Sequence, residues 1–243
     1  MISVIVPTMW KATEYTAAFL RALDDHPLVG EIILIDNDQT KKEESLLQSL
    51  NKLNYFSFEE GNIFVNPAWN FGAKTAKYDK LFIINDDVLI NLSQLQKIYD
   101  EITPDKGMIG FSFLSYCTYT LEAYDSLCNS GFGEEIYLEP ADPRQYPKSS
   151  GMPHPFYGSA YFIHKESYYE IPKEFRIYYG DLFIYLSNLK TGKKNYTIED
   201  GLVMTQYSST VATASFVKDI LTYENDIMAE ILNKYDLRNI IAQ

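Results

Sequence analysis

Carboxylates and amides stand just past the carboxyl ends of three apolar runs, and their placement is the first chemical signal in this chain. Asp36 follows the run Glu31 to Ile35, and Asp86 and Asp87 follow Leu81 to Ile84, while Asn62, Asn66 and Asn70 come after the short run Phe56 to Phe58. In an open parallel α/β sheet, ligands bind outside the carboxyl ends of the strands, so Asp36 and the Asp86–Asp87 pair are expected to meet in one cleft. Taken singly, each of these residues also suits a turn or a helix cap. The adjacent carboxylates of Asp86 and Asp87 are hard oxygen donors of the kind that Mg2+ and Mn2+ use together with substrate phosphates. Neither common glycine-rich phosphate loop is present in the sequence. The formal charge, 21 − 33 = −12, repels a diphosphate. A divalent metal bridging carboxylate to diphosphate removes that conflict.

The elements that must position these residues are legible over the first hundred positions. Ile2 to Val6 is a β-branched apolar run ended by Pro7, as expected of a buried parallel strand. Thr13 is placed to cap a helix to about Asp25, in which Tyr15, Phe19 and Leu23 recur every four residues and which His26-Pro27 stops. Glu31 to Ile35 reads as a second strand, followed by a helix near Glu43–Leu53 and short strands at Phe56–Phe58 and Ile63–Val65. Pro67 opens a helix through about Lys77, and Leu81 to Ile84 is the third strong strand. This βαβα order predicts an α/β fold, a mostly parallel central sheet flanked by helices.

Beyond residue 105 the pattern loosens. Strands at Met108–Leu114 and Tyr161–His164 lie among loops rich in Tyr, Pro, Gly and Ser, and Glu134–Pro155, with five prolines, reads as an irregular loop over a site. The tyrosines and phenylalanines here (Tyr116, Tyr119, Tyr124, Phe132, Tyr146, Phe156, Tyr157) suit a surface that packs against a ligand or serve as core and loop packing. Helices at about Asp181–Leu189 and Ala214–Tyr235 close the chain. The second carries a stripe of Phe216, Ile220, Tyr223, Ile227 and Ile231 that covers the sheet or forms a homodimer contact.

Composition bounds the rest. With 243 residues, 46% hydrophobic and 22% charged, the chain is expected to be one globular domain rather than a disordered one. Its halves are about 1–105 and 106–210, with a C-terminal helix over about 211–243. The acidic balance argues against nucleic acid as a partner. Cys117 and Cys128 are too few for a disulfide framework, which makes a reducing, cytoplasmic compartment the default. No stretch approaches the roughly 18–20 apolar residues of an integral membrane segment, and the first residues lack the pattern of a signal peptide.

Five segments in order, ISVIVPT (2–8), EIILIDND (31–38), NPAWNFGAKTA (66–76), LFIINDDV (81–88) and GSAYFIHKESYYEIPKEFRIYYGDLFIYLSNLKTG (158–192), resemble the family 2-like glycosyltransferases of the GT-A fold, over about residues 1–210. The family's pattern is a first strand ending in Pro-Thr, a second ending in Asp, an Ala-Arg-Asn-x-Gly helix start, an Asp-x-Asp motif, and a later acid ahead of a Gly at a helix end. Asp181 and Gly192 have that last spacing. The resemblance implies a nucleotide-diphospho-sugar transferase acting on a glycan or glycoconjugate acceptor, with Asp181 as the general base and Asp87 as a ligand of Mn2+ or Mg2+. Pro7, Thr8 and Asp36 would line the nucleobase pocket, Asp36 accepting from a uracil-like ring NH, which favours a UDP-sugar. Asn62, Asn66 and Asn70 would lie near the nucleotide and the helix start. Asn85 and Asp86 would sit by ribose and sugar, and Gly158-Ser159 would approach the donor sugar.

Several positions depart from that pattern. Asn85 replaces the first acid of Asp-x-Asp, Trp69 the frequent Arg, and Gly180 the acid that commonly precedes the base. The histidines, His26, His154 and His164, all precede Asp181, so Gln206 or Tyr207 would have to replace the family's late His ligand. Two other readings are a nucleotidyltransferase, which usually has a basic glycine-rich loop after the first strand, and a non-catalytic carbohydrate- or nucleotide-binding protein that kept the fold.

Overall fold

Alternation with a period of two decides how the first strand is used. All of β1 (Ile2–Thr8) is buried; Ile2, Val4 and Val6 join one apolar cluster and Ile5 joins a second, on the opposite face. The computed structural model describes residues 1–11, 13–112, 116–117, 120–129, 135–141, 158–205 and 215–241. After β1 come α1 (Thr13–Asp25), β2 (Val29–Asp36), α2 (Glu44–Ser49), β3 (Leu53–Ser57), α3 (Val65–Thr75) and β4 (Lys80–Ile84). Then follow β5 (Val88–Ile90), α4 (Leu95–Glu101), β6 (Lys106–Phe111), β7 (Tyr116–Cys117), α5 (Leu121–Asn129), β8 (Tyr137–Pro140) and β9 (Ala160–His164). The last elements are α6 (Gly180–Lys190), β10 (Lys194–Glu199), β11 (Val203–Thr205), α7 (Ser215–Lys234) and α8 (Arg238–Ile241).

Among the described residues, the main sheet has the order β3-β2-β1-β4-β9-β6-β10-β8. Strands β3, β2, β1 and β4 run parallel, as the βαβα reading predicts. β9 is inserted antiparallel between β4 and β6, β6 and β10 are parallel, and β8 closes the edge antiparallel. A small sheet, β5-β11-β7, accompanies it. One apolar cluster joins α1, α4 and the small sheet to one face. The other joins α3, α6 and α7 to the opposite face. Gly72 of α3 lets that helix lie against β1, since a Cβ there would come within 2.4 Å of Ile5 Cγ2.

Three expectations change. Ile63–Val65 is not a strand: Asn62 Oδ1 accepts the Phe64 N–H at 2.7 Å, Phe64 turns to φ +68°, and α3 begins at Val65. Pro67 then falls inside the first turn, where its missing N–H has no helical partner to lose. Second, part of the proline-rich loop is ordered as β8, whose backbone pairs with β10; residues 142–157, with His154, lie outside the described residues. Third, the expected stripe of α7 holds only in part: Ile227 and Ile231 pack against the core, but Tyr223 turns outward. Val217, Glu224, Ile231 and Leu232 are buried whereas Tyr223 is 50% exposed, because the helix turns a carboxylate inward to meet backbone donors. That face rests on the chain's own core.

Phe82 of β4 stacks on Phe162 of β9, with ring centroids 4.2 Å apart and both rings fully buried. Phe82→Ala leaves a cavity at this seam between the parallel and mixed parts of the sheet. The expected cost is about 3–5 kcal/mol, measured as the loss of unfolding free energy in a urea titration; a loss below about 1 kcal/mol would contradict this account of the seam.

Candidate active site

Thr8 ends β1 opposite Asp36, its register partner at the end of β2. Both are buried, and the Asn37 N–H donates to the Thr8 carbonyl at 2.8 Å, which ties the two strand ends together. The Thr8 hydroxyl donates to Asp86 Oδ2 at 2.6 Å and accepts the Trp10 N–H at 2.9 Å. Asp86 Oδ2 also accepts the Met9 N–H at 3.1 Å, and its main-chain carbonyl accepts from Thr16 of α1. Burial pushes the Asp86 carboxyl up to about 6; the neighbouring Asp87 charge adds to the rise, and the Thr8 and Met9 donors pull against it.

Asp36 carries two further bonds. Its Oδ1 accepts the Asp38 N–H at 2.9 Å and its Oδ2 accepts the Tyr55 hydroxyl of β3 at 2.7 Å. Burial, reinforced by the bond to Asp36, pushes the Tyr55 hydroxyl up to about 12, so it keeps its proton and remains a donor. The sequence does not mark Tyr55, which lies just ahead of the expected strand Phe56–Phe58; in the fold β3 spans Leu53–Ser57 and the Tyr55 hydroxyl reaches along β2 to Asp36.

The other half of the cleft hangs from Asn85, directly before Asp86. Its backbone N–H donates to the Ser159 carbonyl at 2.9 Å and its Nδ2 to the Gly158 carbonyl at 3.0 Å. Its Oδ1 is buried without a hydrogen-bond partner among the described residues. Gly158 faces Asp181: a Cβ added there would come only into ordinary van der Waals contact, 3.4 Å from Asp181 Oδ2. Register and hydrogen bonds thus link Asp36 through Thr8, Asp86 and Asn85 to Gly158, and Gly158 faces Asp181 at the first turn of α6. Pro7 is buried beside Thr8, and Asn62 Nδ2 lies 4.0 Å from Met9 Sδ on the same side.

Asn66 and Asn70 are arranged differently. They lie one turn apart on α3, and both amides are bound to the segment 168–178. Asn70 Nδ2 donates to the Ile171 carbonyl at 2.8 Å, and its Oδ1 accepts the Ile171 N–H and the Tyr168 hydroxyl. Asn66 Nδ2 donates to the carbonyls of Tyr178, at 2.9 Å, and Phe175, at 3.3 Å. These two side chains join the halves of the molecule. Trp69, which stands where the resemblance expects Arg, is buried and packs edge-on against Tyr161 at 5.4 Å. Gly180 abuts Asn66: a Cβ there would fall 2.2 Å from Asn66 Oδ1.

The residues present suit a hard divalent cation shared with a phosphate-bearing ligand. Two adjacent carboxylates meet at the end of β4, and the charge of one raises the other, a repulsion that a cation relieves. Among the described residues no three His, Cys, Asp or Glu side chains group into a complete metal site. Gln206 and Tyr207 lie outside the described residues.

The model of the family described as Glycosyl transferase family 2 matches residues 3–171. Among solved structures, S. aureus TarS 1–349 in complex with UDP-GlcNAc is similar with a TM-score of 0.61 at 16% identity, covering 96% of this chain and 66% of that one. GalNAc-T7 with UDP, GalNAc and Mn2+ gives a TM-score of 0.57 at 14% identity, covering 93% of this chain and 48% of that one. At these identities the likeness is one of fold, and the chain spans less than two thirds of the length of either neighbour. No curated protein matches the sequence.

The Asp86 environment sets a pH dependence. Its carboxyl is raised on folding, so the stability it contributes is fully present below its ordinary range near 4 and is lost as pH rises through about 6. Asp86→Asn keeps an acceptor for Thr8 and Met9 without the charge. In metal-free buffer the substitution is expected to flatten the fall of Tm between pH 4 and 7. An unchanged slope would show that Asp86 does not carry the burden.

Proposed function

The chain belongs to glycosyl transferase family 2, and on that premise we propose that it moves a sugar from a UDP-sugar to a hydroxyl of a glycan or glycoconjugate acceptor, with inversion, in a single displacement. The observation that supports this reading best is the linkage of Asp36, Thr8, Asp86, Asn85 and Gly158 along one edge, with Asp181 facing Gly158. It connects a base-reading carboxylate, a cation-holding pair and a proton acceptor in the order that a nucleotide, its diphosphate and its sugar would occupy. The two structural neighbours, crystallised with UDP-GlcNAc and with UDP, GalNAc and Mn2+, support UDP as the carrier.

In this reading Pro7, Thr8, Asn62 and Asp36 enclose the base. The Tyr55 hydroxyl and the Asp38 N–H each use one lone pair of the Asp36 carboxylate, turning the remaining ones toward a ring NH. Asn85 Oδ1, buried and unspent, accepts from a ribose hydroxyl. Asp87, with Asp86 beside it, would hold the divalent metal, which when bound supplies neutralisation of the charge on the leaving diphosphate. Gly158 and Ser159 leave room for the donor sugar against Asp181. Asp181 takes the proton of the acceptor hydroxyl as its oxygen bonds to the anomeric carbon, and the bond from that carbon to the diphosphate breaks on the opposite face. The carboxylate then holds the proton, and the nucleoside diphosphate departs without needing an acid.

No helix among the described residues is long and apolar enough to cross a membrane; cysteine usage leads us to assign the chain to the cytoplasm.

A panel of nucleotide sugars, assayed for release of nucleoside diphosphate with and without Mn2+, tests the donor reading without an acceptor. Metal-dependent hydrolysis of a UDP-sugar is expected, together with a metal-dependent rise in Tm on adding UDP. No turnover and no shift with any nucleotide would instead favour a binding protein that kept the fold. Asp181→Ala is expected to lower the rate about 10²–10⁴-fold with Tm preserved. A folded variant at near-normal rate removes Asp181 from its role.

A further inference from the structure

The turn that precedes Asp181 is held from two directions. From α3, the Asn66 N–H donates to the Arg176 carbonyl at 3.0 Å, and its side-chain amide bonds the carbonyls of Phe175 and Tyr178. From α7, Glu224 accepts the N–H groups of the same turn: Oε1 takes Arg176 at 2.6 Å and Ile177 at 3.1 Å, and Oε2 takes Tyr178 at 2.8 Å. Glu224 is 0% exposed. Burial pushes its carboxyl above the usual range, and the three backbone donors pull it back. Tyr179 follows in the left-handed region at φ +61°, which a bulky residue rarely adopts, and the chain then enters α6 at Gly180 and Asp181. A turn that combines a left-handed tyrosine with three aligned N–H groups is strained and positively polarised, and the buried carboxylate compensates both features.

We propose that Glu224 is a positioning residue for Asp181: its carboxylate, delivered by the C-terminal helix, fixes the turn 176–179 and thereby the direction from which Asp181 meets the acceptor hydroxyl. Glu224 lies beyond the residues that the family model matches, 3–171, so nothing in that match assigns it a role. Its contacts are local to the turn, yet it arrives from 46 to 48 residues further along the chain. The geometry also explains why this chain has glycine before the base. Asn66 fills the space that a side chain at 180 would need, and Asn66 is the other half of the clamp.

The inference rests on Asp181 as general base, and a double-mutant cycle separates the two claims. The readout is kcat for release of nucleoside diphosphate from UDP-N-acetylglucosamine, or from whichever panel member the unaltered chain hydrolyses fastest, alongside donor Kd and Tm. Glu224→Gln keeps the size but turns one acceptor into an amide N–H facing backbone N–H groups. It is expected to lower kcat about 10- to 100-fold, as a small misplacement of a reacting group does, with donor Kd changed less than about threefold. In the Asp181→Asn background the same substitution is expected to change kcat no further, because Glu224 acts only through that carboxylate. Glu224→Asp, which keeps the charge, is expected to recover part of the rate, and it carries the cycle if the Gln variant does not fold. A normal kcat in Glu224→Gln, or a full multiplicative loss in the double variant, overturns the positioning role and leaves Asp181 in place. A normal kcat in Asp181→Asn overturns both.

Discussion

Thr8 stands between two carboxylates, and the rest of the cleft follows from how it is held there. Parallel pairing of β1 with β2 sets Thr8 beside Asp36, and parallel pairing with β4 brings the Asn85-Asp86-Asp87 end to the same height. The hydroxyl then bonds Asp86 and leaves the main-chain carbonyl to Asn37. Without this bridge three acidic side chains would crowd one sheet edge in a protein of net charge −12. With it, Asp86 is tied down by donors while burial raises its proton affinity.

The second half of the molecule reaches this edge through backbone rather than through side chains. β9 enters the sheet antiparallel to β4, and the turn just before it delivers the carbonyls of Gly158 and Ser159 to Asn85. The same turn faces Asp181, with space for an added Cβ at ordinary contact distance, 3.4 Å from its carboxylate. The cleft thus has a rigid floor made by the sheet and a far wall whose position is set by turns. Such a division suits a site where one ligand is constant and the other differs between relatives.

Much of the floor was legible in the sequence and little of the wall. β1, β2 and β4 are apolar runs whose last residues carry the polar groups, so Thr8, Asp36 and Asp86 follow from strand ends and a parallel sheet alone. The partners that fix those groups depend on register and on distant segments. Tyr55 lies just ahead of the strand that the sequence suggests, and nothing local marks it as the donor to Asp36. Asn66 and Asn70 read as ligand-facing amides because they follow a strand; in the fold the Nδ2 of Asn66 and both ends of Asn70 bond a segment about a hundred residues later. The stripe on α7 is legible only in part, since Ile227 and Ile231 do pack against the core. Apolar spacing pointed Tyr223 inward, but three backbone donors need a carboxylate, so the neighbouring Glu224 is buried in its place.

Asn66 and Gly180 occupy a single volume between them, the amide of one filling the place of the other's absent side chain. The two positions are therefore not free to drift independently. A side chain at 180 would displace the amide at 66 from its present place, and with it the bonds to the Phe175 and Tyr178 carbonyls. Divergence within the family would be expected to pass such a pair as a unit, with few viable halfway sequences.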